Sequence, residues 1–108
     1  MKFIALVHNF YPYLIVWHTP NGEDRDPRTA IVLKAMGVRA GVPDLFFPSL
    51  RLFIEMKAPG EGMSDSQQEL AELLRVVGYT VVTYTGHKAA FAYLEGFMRD
   101  RQPNGLPG

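Results

Sequence analysis

The segment Leu52-Phe53-Ile54-Glu55-Met56-Lys57 restricts most tightly what this chain can become. It is β-prone, free of internal Gly and Pro, and bounded by Pro48-Ser49 on one side and a Gly/Pro loop from Ala58 to Gly62 on the other. In an extended strand, residues two apart share a face. Phe53, Glu55 and Lys57 therefore point one way, and Leu52, Ile54 and Met56 the other. A carboxylate and an ammonium are projected together from a rigid element, which is how a site is held to tight tolerance. Upstream, Gly41-Val42-Pro43-Asp44 brings a second carboxylate eleven residues before Glu55, at a distance compatible with a hairpin.

The remaining elements follow from periodicity and punctuation. Lys2 to Phe10 has a helical rhythm (Phe3, Leu6, Val7, Phe10) and stops before Pro12. Tyr13 to His18 reads as a strand, because Leu-Ile-Val-Trp is too apolar and branched for a surface helix. Thr19-Pro20-Asn21-Gly22 is a turn by composition. Asp26 can cap a helix that starts at Pro27, carries Ile31, Leu33 and Met36, and stops at Gly37. Leu45 to Phe47 and Leu52 to Met56 form two strands around the Pro48-Ser49 turn. Ser64 to Val77 is an amphipathic helix expected to turn Leu70, Leu73, Leu74 and Val77 inward, and Gly78 ends it. Thr80 to Tyr84 is a strand, and His87 to Met98 a last helix with Phe91, Leu94 and Phe97. Residues 99–108 carry two prolines and two glycines and are expected to be a flexible tail, which leaves 1–98 as the domain. The order predicts an α/β fold, a single domain with a mixed central sheet flanked by helices.

Composition narrows the class. At 108 residues the chain is long enough for one domain with a real core. It has no cysteine, which excludes disulfides and thiolate metal sites and fits a reducing cytosol. No run approaches the ~18 apolar residues of a membrane span. The apolar start from Phe3 to Val7 is broken by His8 and Asn9 and lacks the pattern of a signal peptide, so a cytoplasmic protein is expected. Eleven basic and eleven acidic residues balance, whereas a nucleic-acid-binding protein is often basic.

The carboxylates and the lysine carry specific chemistry. Mg²⁺ prefers oxygen ligands and usually takes only one or two protein carboxylates, which Asp44 and Glu55 would supply. Such a cation activates water and stabilises charge growing on a phosphate, while Lys57 could position or deprotonate that water. The alternative for Glu55 and Lys57 is an ordinary exposed ion pair at a strand end, worth about 0–1 kcal/mol.

Four segments in order resemble the VRR-NUC family, the virus-type replication-repair nucleases of the restriction-endonuclease-like superfamily. They are His18-Thr19-Pro20-Asn21-Gly22 with Arg25; Leu33-Lys34-Ala35-Met36-Gly37 with Gly41-Val42-Pro43-Asp44-Leu45; Phe53-Ile54-Glu55-Met56-Lys57; and Ser64-Asp65-Ser66-Gln67 with Gly78-Tyr79. The resemblance implies a Mg²⁺- or Mn²⁺-dependent DNA endonuclease, and stand-alone members resemble phage-borne homodimers that resolve branched or four-way junction DNA. By this resemblance Asp44, Glu55, Lys57 and Gln67 are the candidate catalytic residues. Asp44, Glu55 and the backbone carbonyl of Met56 are the candidate metal ligands. Gln67 would orient the nucleophilic water or a ligand, but Ser64-x-x-Gln67 is equally a capping box. His18, Asn21, Arg25, Lys34, Arg39 and Lys88 are candidate DNA contacts. A strand-end histidine, a turn-forming Asn-Gly and solvated charges are their simpler readings. Tyr11, Tyr13, Trp17, Tyr79 and Tyr84 could stack bases, although strand-borne aromatics usually serve the core.

The sequence departs from the family in one respect. Members usually carry a glutamate in the first helix, yet no Asp or Glu precedes Glu23. Either the reading frame starts late or the site works with a reduced acidic cluster. The alternative to an enzyme is therefore an inactive DNA-binding or scaffolding module that keeps the fold. A sequence-specific restriction subunit is disfavoured by the short loops and the lack of a recognition domain.

Overall fold

A computed structural model describes residues 2–19, 28, 31–32, 35, 37 and 39–101. Its elements run α1 (Lys2–Phe10), β1 (Trp17–His18), β2 (Leu45–Phe47), a 3-10 turn (Pro48–Leu50), β3 (Leu52–Lys57), α2 (Asp65–Val76), β4 (Thr80–Thr85) and α3 (His87–Asp100). Between β1 and β2, Arg28, Ile31, Val32 and Ala35 are helical. Among the described residues the strands form one mixed sheet in the order β1-β2-β3-β4. β1 and β2, and β2 and β3, pair antiparallel, whereas β3 and β4 pair parallel. A parallel pair needs a crossover, and α2 supplies it.

The period-two pattern of β3 divides the core. Leu52 and Ile54 join Leu45 and Phe47 in a cluster closed by Phe3 and Val7 of α1 and by Ala90, Phe91, Leu94 and Met98 of α3. On the opposite face, Phe53 packs with Ala71 of α2, Val81 of β4 and the partly buried Phe46, Leu74 and Tyr79. The sheet thus lies between two helical layers, as the α/β reading expects. The two faces differ in depth, and the thinner α2 side leaves room for polar groups at the carboxyl end of β3.

Three expectations from the sequence need correction. The first strand is two residues long instead of spanning Tyr13–His18. Leu14 N–H donates to the Tyr11 carbonyl, turning the chain after α1, and Leu14 is buried while Tyr13 and Ile15 are exposed. Its partner β2 is itself cut to three residues by the turn at Pro48, so little ladder exists to lengthen it. In α2 the inward residues are Gln67, Leu70 and Ala71 with Leu74 partly buried. Leu73 is 48% and Val77 63% exposed. The spacing i, i+3, i+4, i+7 from Gln67 defines that face, and its small Ala71 lets α2 approach the sheet. Finally, α3 runs to Asp100, two residues past Met98. The Arg101 guanidinium lies 4.8 Å above the Phe97 ring, a cation–π contact that favours the last turn. Among the described residues, no helix is long and apolar enough to cross a membrane.

Candidate active site

Asp44 enters the site through strand register. Leu45 pairs with Ile54 and Phe46 with Phe53, so one step further along the same register Asp44 lies opposite Glu55. Directly opposed residues share a face, and the Phe46 and Phe53 rings, stacked at 4.3 Å, mark it. Where the β2 backbone ladder ends, the Asp44 side chain continues it, its Oδ2 accepting the Met56 N–H at 2.9 Å. The Asp44 carbonyl accepts the Thr19 N–H at 2.6 Å. Asp44 is therefore fixed from β1 on one side and from β3 on the other.

Lys57 is fixed from α2. Its Nζ donates to Gln67 Oε1 at 2.7 Å. The same oxygen accepts the Ser64 N–H at 2.9 Å, and Ser64 Oγ accepts the Gln67 N–H at 3.2 Å. The Ser64–Gln67 capping box is thus present, and Gln67 also reaches Lys57. Gly41 joins this turn to the Asp44 segment. It is buried with φ of +86°, and a Cβ there would lie 2.5 Å from the Ser66 carbonyl oxygen and 3.0 Å from the Gln67 nitrogen. Pro43 beyond it is fully buried.

Asp44, Glu55, Lys57 and Gln67 therefore come together where the carboxyl end of β3 meets the first turn of α2. Glu55 differs from a strand-end surface charge, because it is 2% exposed. That burial overturns the alternative reading of Glu55 as half of an exposed ion pair at a strand end. Phe53, Ala71 and Val81 build a dry floor beneath that face of the sheet, and burying a carboxylate is costly unless partners compensate it. The parallel register adds two residues that the sequence reading missed, since Glu55 pairs with Thr83 and Lys57 with Thr85. Thr83 Oγ1 lies 3.4 Å from Met63 Sδ. Strand pairing relates these threonines to the site, and a single sequence does not display that pairing.

Among the expected DNA contacts, His18 is an exposed β1 residue opposite Leu45. Arg39 and Lys88 are exposed. Asn21, Arg25 and Lys34 lie outside the described residues. Most of the candidate stacking aromatics are engaged elsewhere. Tyr79 meets Phe46 and Phe53 beneath the Arg51 guanidinium, and Tyr84 packs on Tyr93. Tyr11 packs on Phe91, and burial, followed by the nearby Glu95 carboxylate, pushes its phenol above the ordinary tyrosine range. Tyr13 is largely exposed, and Trp17, about half exposed, meets Phe46 edge-on.

Asp44 and Glu55, which lie opposite each other in the sheet, offer only carboxylate oxygens as side-chain donors at this place. Among the described residues, no group of three or more His, Cys, Asp or Glu side chains could hold an ion. Two carboxylates completed by water and substrate phosphate match Mg²⁺, and oxygen donors also suit Mn²⁺. Among the described residues no thiolate- or imidazole-rich site for another metal arises.

No family model matches the sequence, and no curated protein matches it. A solved structure described as a "VRR_NUC domain protein" matches the fold with a TM-score of 0.70 at 24% identity, covering 99% of this chain and 93% of that one. The chain has the VRR-NUC fold. At this level of identity the likeness concerns the course of the backbone, and the chemistry must be argued from the residues above.

Gly41 gives a direct check on how the site is held. Gly41→Ala combines an unfavourable positive φ with a Cβ driven into the backbone of α2, so the loss should exceed the ~1 kcal/mol around which point mutants centre. Denaturant unfolding should show a loss of roughly 2 kcal/mol or more. A wild-type midpoint would mean that the Asp44 segment does not press on α2.

Proposed function

We propose that this protein is a Mg²⁺- or Mn²⁺-dependent DNA endonuclease that hydrolyses phosphodiester bonds, acting on branched or four-way junction DNA as a homodimer. The observation that carries this reading is the convergence of Asp44, Glu55, Lys57 and Gln67 on one face of β3, each from a different constraint. The VRR-NUC fold supports the same class of activity.

When bound, the cation supplies Lewis acidity and makes water a competent nucleophile. Asp44 and Glu55, with the Met56 carbonyl, would hold it. The Asp44 hydrogen bond to Met56 and the pairing of Glu55 within the sheet keep these donors from collapsing outward. Lys57 would donate to a phosphate oxygen and hold the attacking water in line. Its ammonium donates to Gln67 Oε1 at 2.7 Å. The buried floor under Glu55 lowers the local dielectric, which strengthens each of these interactions.

Junction selectivity is proposed from the size and charge of the domain. Among the described residues nothing is arranged like a recognition helix for the major groove. A small neutral domain has little surface for reading sequence, so shape is the property it can select. Two copies would present two sites to two strands. Phe10, Tyr13, Ile15 and Trp17 are all exposed between α1 and the short edge strand β1, and an apolar surface of this kind suits a second copy. Tyr11 lies beside this patch and, like Phe10, packs on Phe91.

A second reading draws on α1, whose nine residues include no carboxylate. If two carboxylates bind the cation too weakly, the fold would serve as an inactive DNA-binding or scaffolding module.

Cleavage assays separate these readings. Purified protein with Mn²⁺ or Mg²⁺ should cut branched DNA in preference to linear duplex. Lys57→Ala and Glu55→Gln should each lower the rate by roughly 10²-fold or more while far-UV circular dichroism stays native. Retained DNA binding with no cleavage under either metal would favour the scaffold, and full cleavage by either variant would remove the site assignment.

Light scattering at micromolar concentration should give twice the chain mass. A Trp17→Glu change should shift it toward the monomer by burying a charge in the interface. A monomer at all concentrations, with or without DNA, would refute the dimer.

A further inference from the structure

A capping box needs the N3 side chain to accept one hydrogen bond, from the N-cap amide. Gln67 accepts two. Its Oε1 receives the Ser64 N–H at 2.9 Å and the Lys57 ammonium at 2.7 Å. Both partners are donors only, so the carbonyl oxygen, and not the amide nitrogen, must face them. The side chain that carries this oxygen is 4% exposed, and its backbone N–H is held by Ser64 Oγ. Gln67 is thereby immobilised at both ends before it meets Lys57. The lysine, in contrast, ends a four-carbon stem with large rotamer freedom. The turn that holds Gln67 is pressed from below by Gly41, at a separation that leaves no space for a side chain.

We propose that Gln67 is a positioning residue that holds the Lys57 ammonium through an oxygen shared with the helix cap, so that the first turn of α2 sets the geometry of Lys57 relative to Asp44 and Glu55. Cap and site are then one device. Gly41 ties the Asp44 segment to this turn, and Gln67 ties Lys57 to it. Substrate contact by Gln67 is not required. The meaning of an ordered Lys57 rests on the nuclease reading, but its ordering does not.

The test begins with the full-length chain, free of metal, labelled with ¹⁵N and ¹³C. A coupling across the hydrogen bond between Lys57 Nζ and Gln67 Cδ is expected, with the two Lys57 Hε protons inequivalent. Gln67→Met keeps the size but loses the acceptor, and should make these protons equivalent. Gln67→Glu keeps an acceptor and should preserve their inequivalence. In cleavage assays Gln67→Met should lower kcat by a factor on the order of 10² with KM little changed, as for a misplaced group. Arg75→Ala removes contacts to Glu72 and the Val81 carbonyl at the other end of α2. It should lower Tm without lowering kcat.

Absence of the coupling together with equivalent Hε protons in the wild type would overturn the proposal. So would a folded Gln67→Met variant that retains inequivalent Hε protons and wild-type kcat. Should Gln67→Met fail to fold, the wild-type coupling and Gln67→Glu still decide the matter. If the spectra behave as stated and no variant or wild type cuts DNA, the positioning stands and the nuclease reading falls.

Discussion

β3 is buried on both faces, and the other elements stand where they must to cover it. One face needs α1 and α3 over Leu52 and Ile54; the other needs α2 over Phe53. A parallel β4 then requires a crossover, and α2 provides both the crossover and the cover. The site is a consequence of that arrangement. As β3 leaves the core, its alternation carries Glu55 and Lys57 onto the face where α2 begins. A helix that begins there brings a capped first turn within reach of the lysine.

Burial separates the two charged residues of β3. Glu55 is enclosed, whereas Lys57 is half-buried and held by a neutral amide oxygen. In the proposed metal site an enclosed carboxylate would hold a cation strongly, because the attraction between the two is little screened by water. Asp44 contributes its carboxylate at less depth, with one oxygen engaged by the Met56 N–H. The sheet thus holds both carboxyl groups in place before any ligand arrives. Such preorganisation is where enzymes gain most of their electrostatic advantage.

Much of this was legible in the sequence because the relevant signals are local. The period-two pattern of Leu52–Lys57, the Ser64-x-x-Gln67 cap and the stop at Gly78 each state their own structure, and β3, α2 and the capping box formed accordingly. What was illegible depends on contacts distant in sequence. Leu73 and Val77 looked like core by size, but the small Ala71 lies against the sheet. Glu55 looked like a surface charge until Phe53, Ala71 and Val81 closed over its face. Thr83 and Thr85 became neighbours of Glu55 and Lys57 only through parallel pairing. Gly41 carried a recognisable motif, but its reason, a close approach to Ser66, is a tertiary fact.

In the proposed site a divalent cation binds where the end of β3 meets the first turn of α2. Paramagnetic broadening of backbone amide resonances by substoichiometric Mn²⁺ tests it directly. Signals of Asp44, Leu45, Glu55, Met56, Lys57, Ser66 and Gln67 should broaden first, and Glu55→Gln should weaken the effect by roughly tenfold or more in Mn²⁺ concentration, as loss of a charged ligand requires. Broadening centred elsewhere, or none at millimolar Mn²⁺, would contradict the assignment of this place as the metal site.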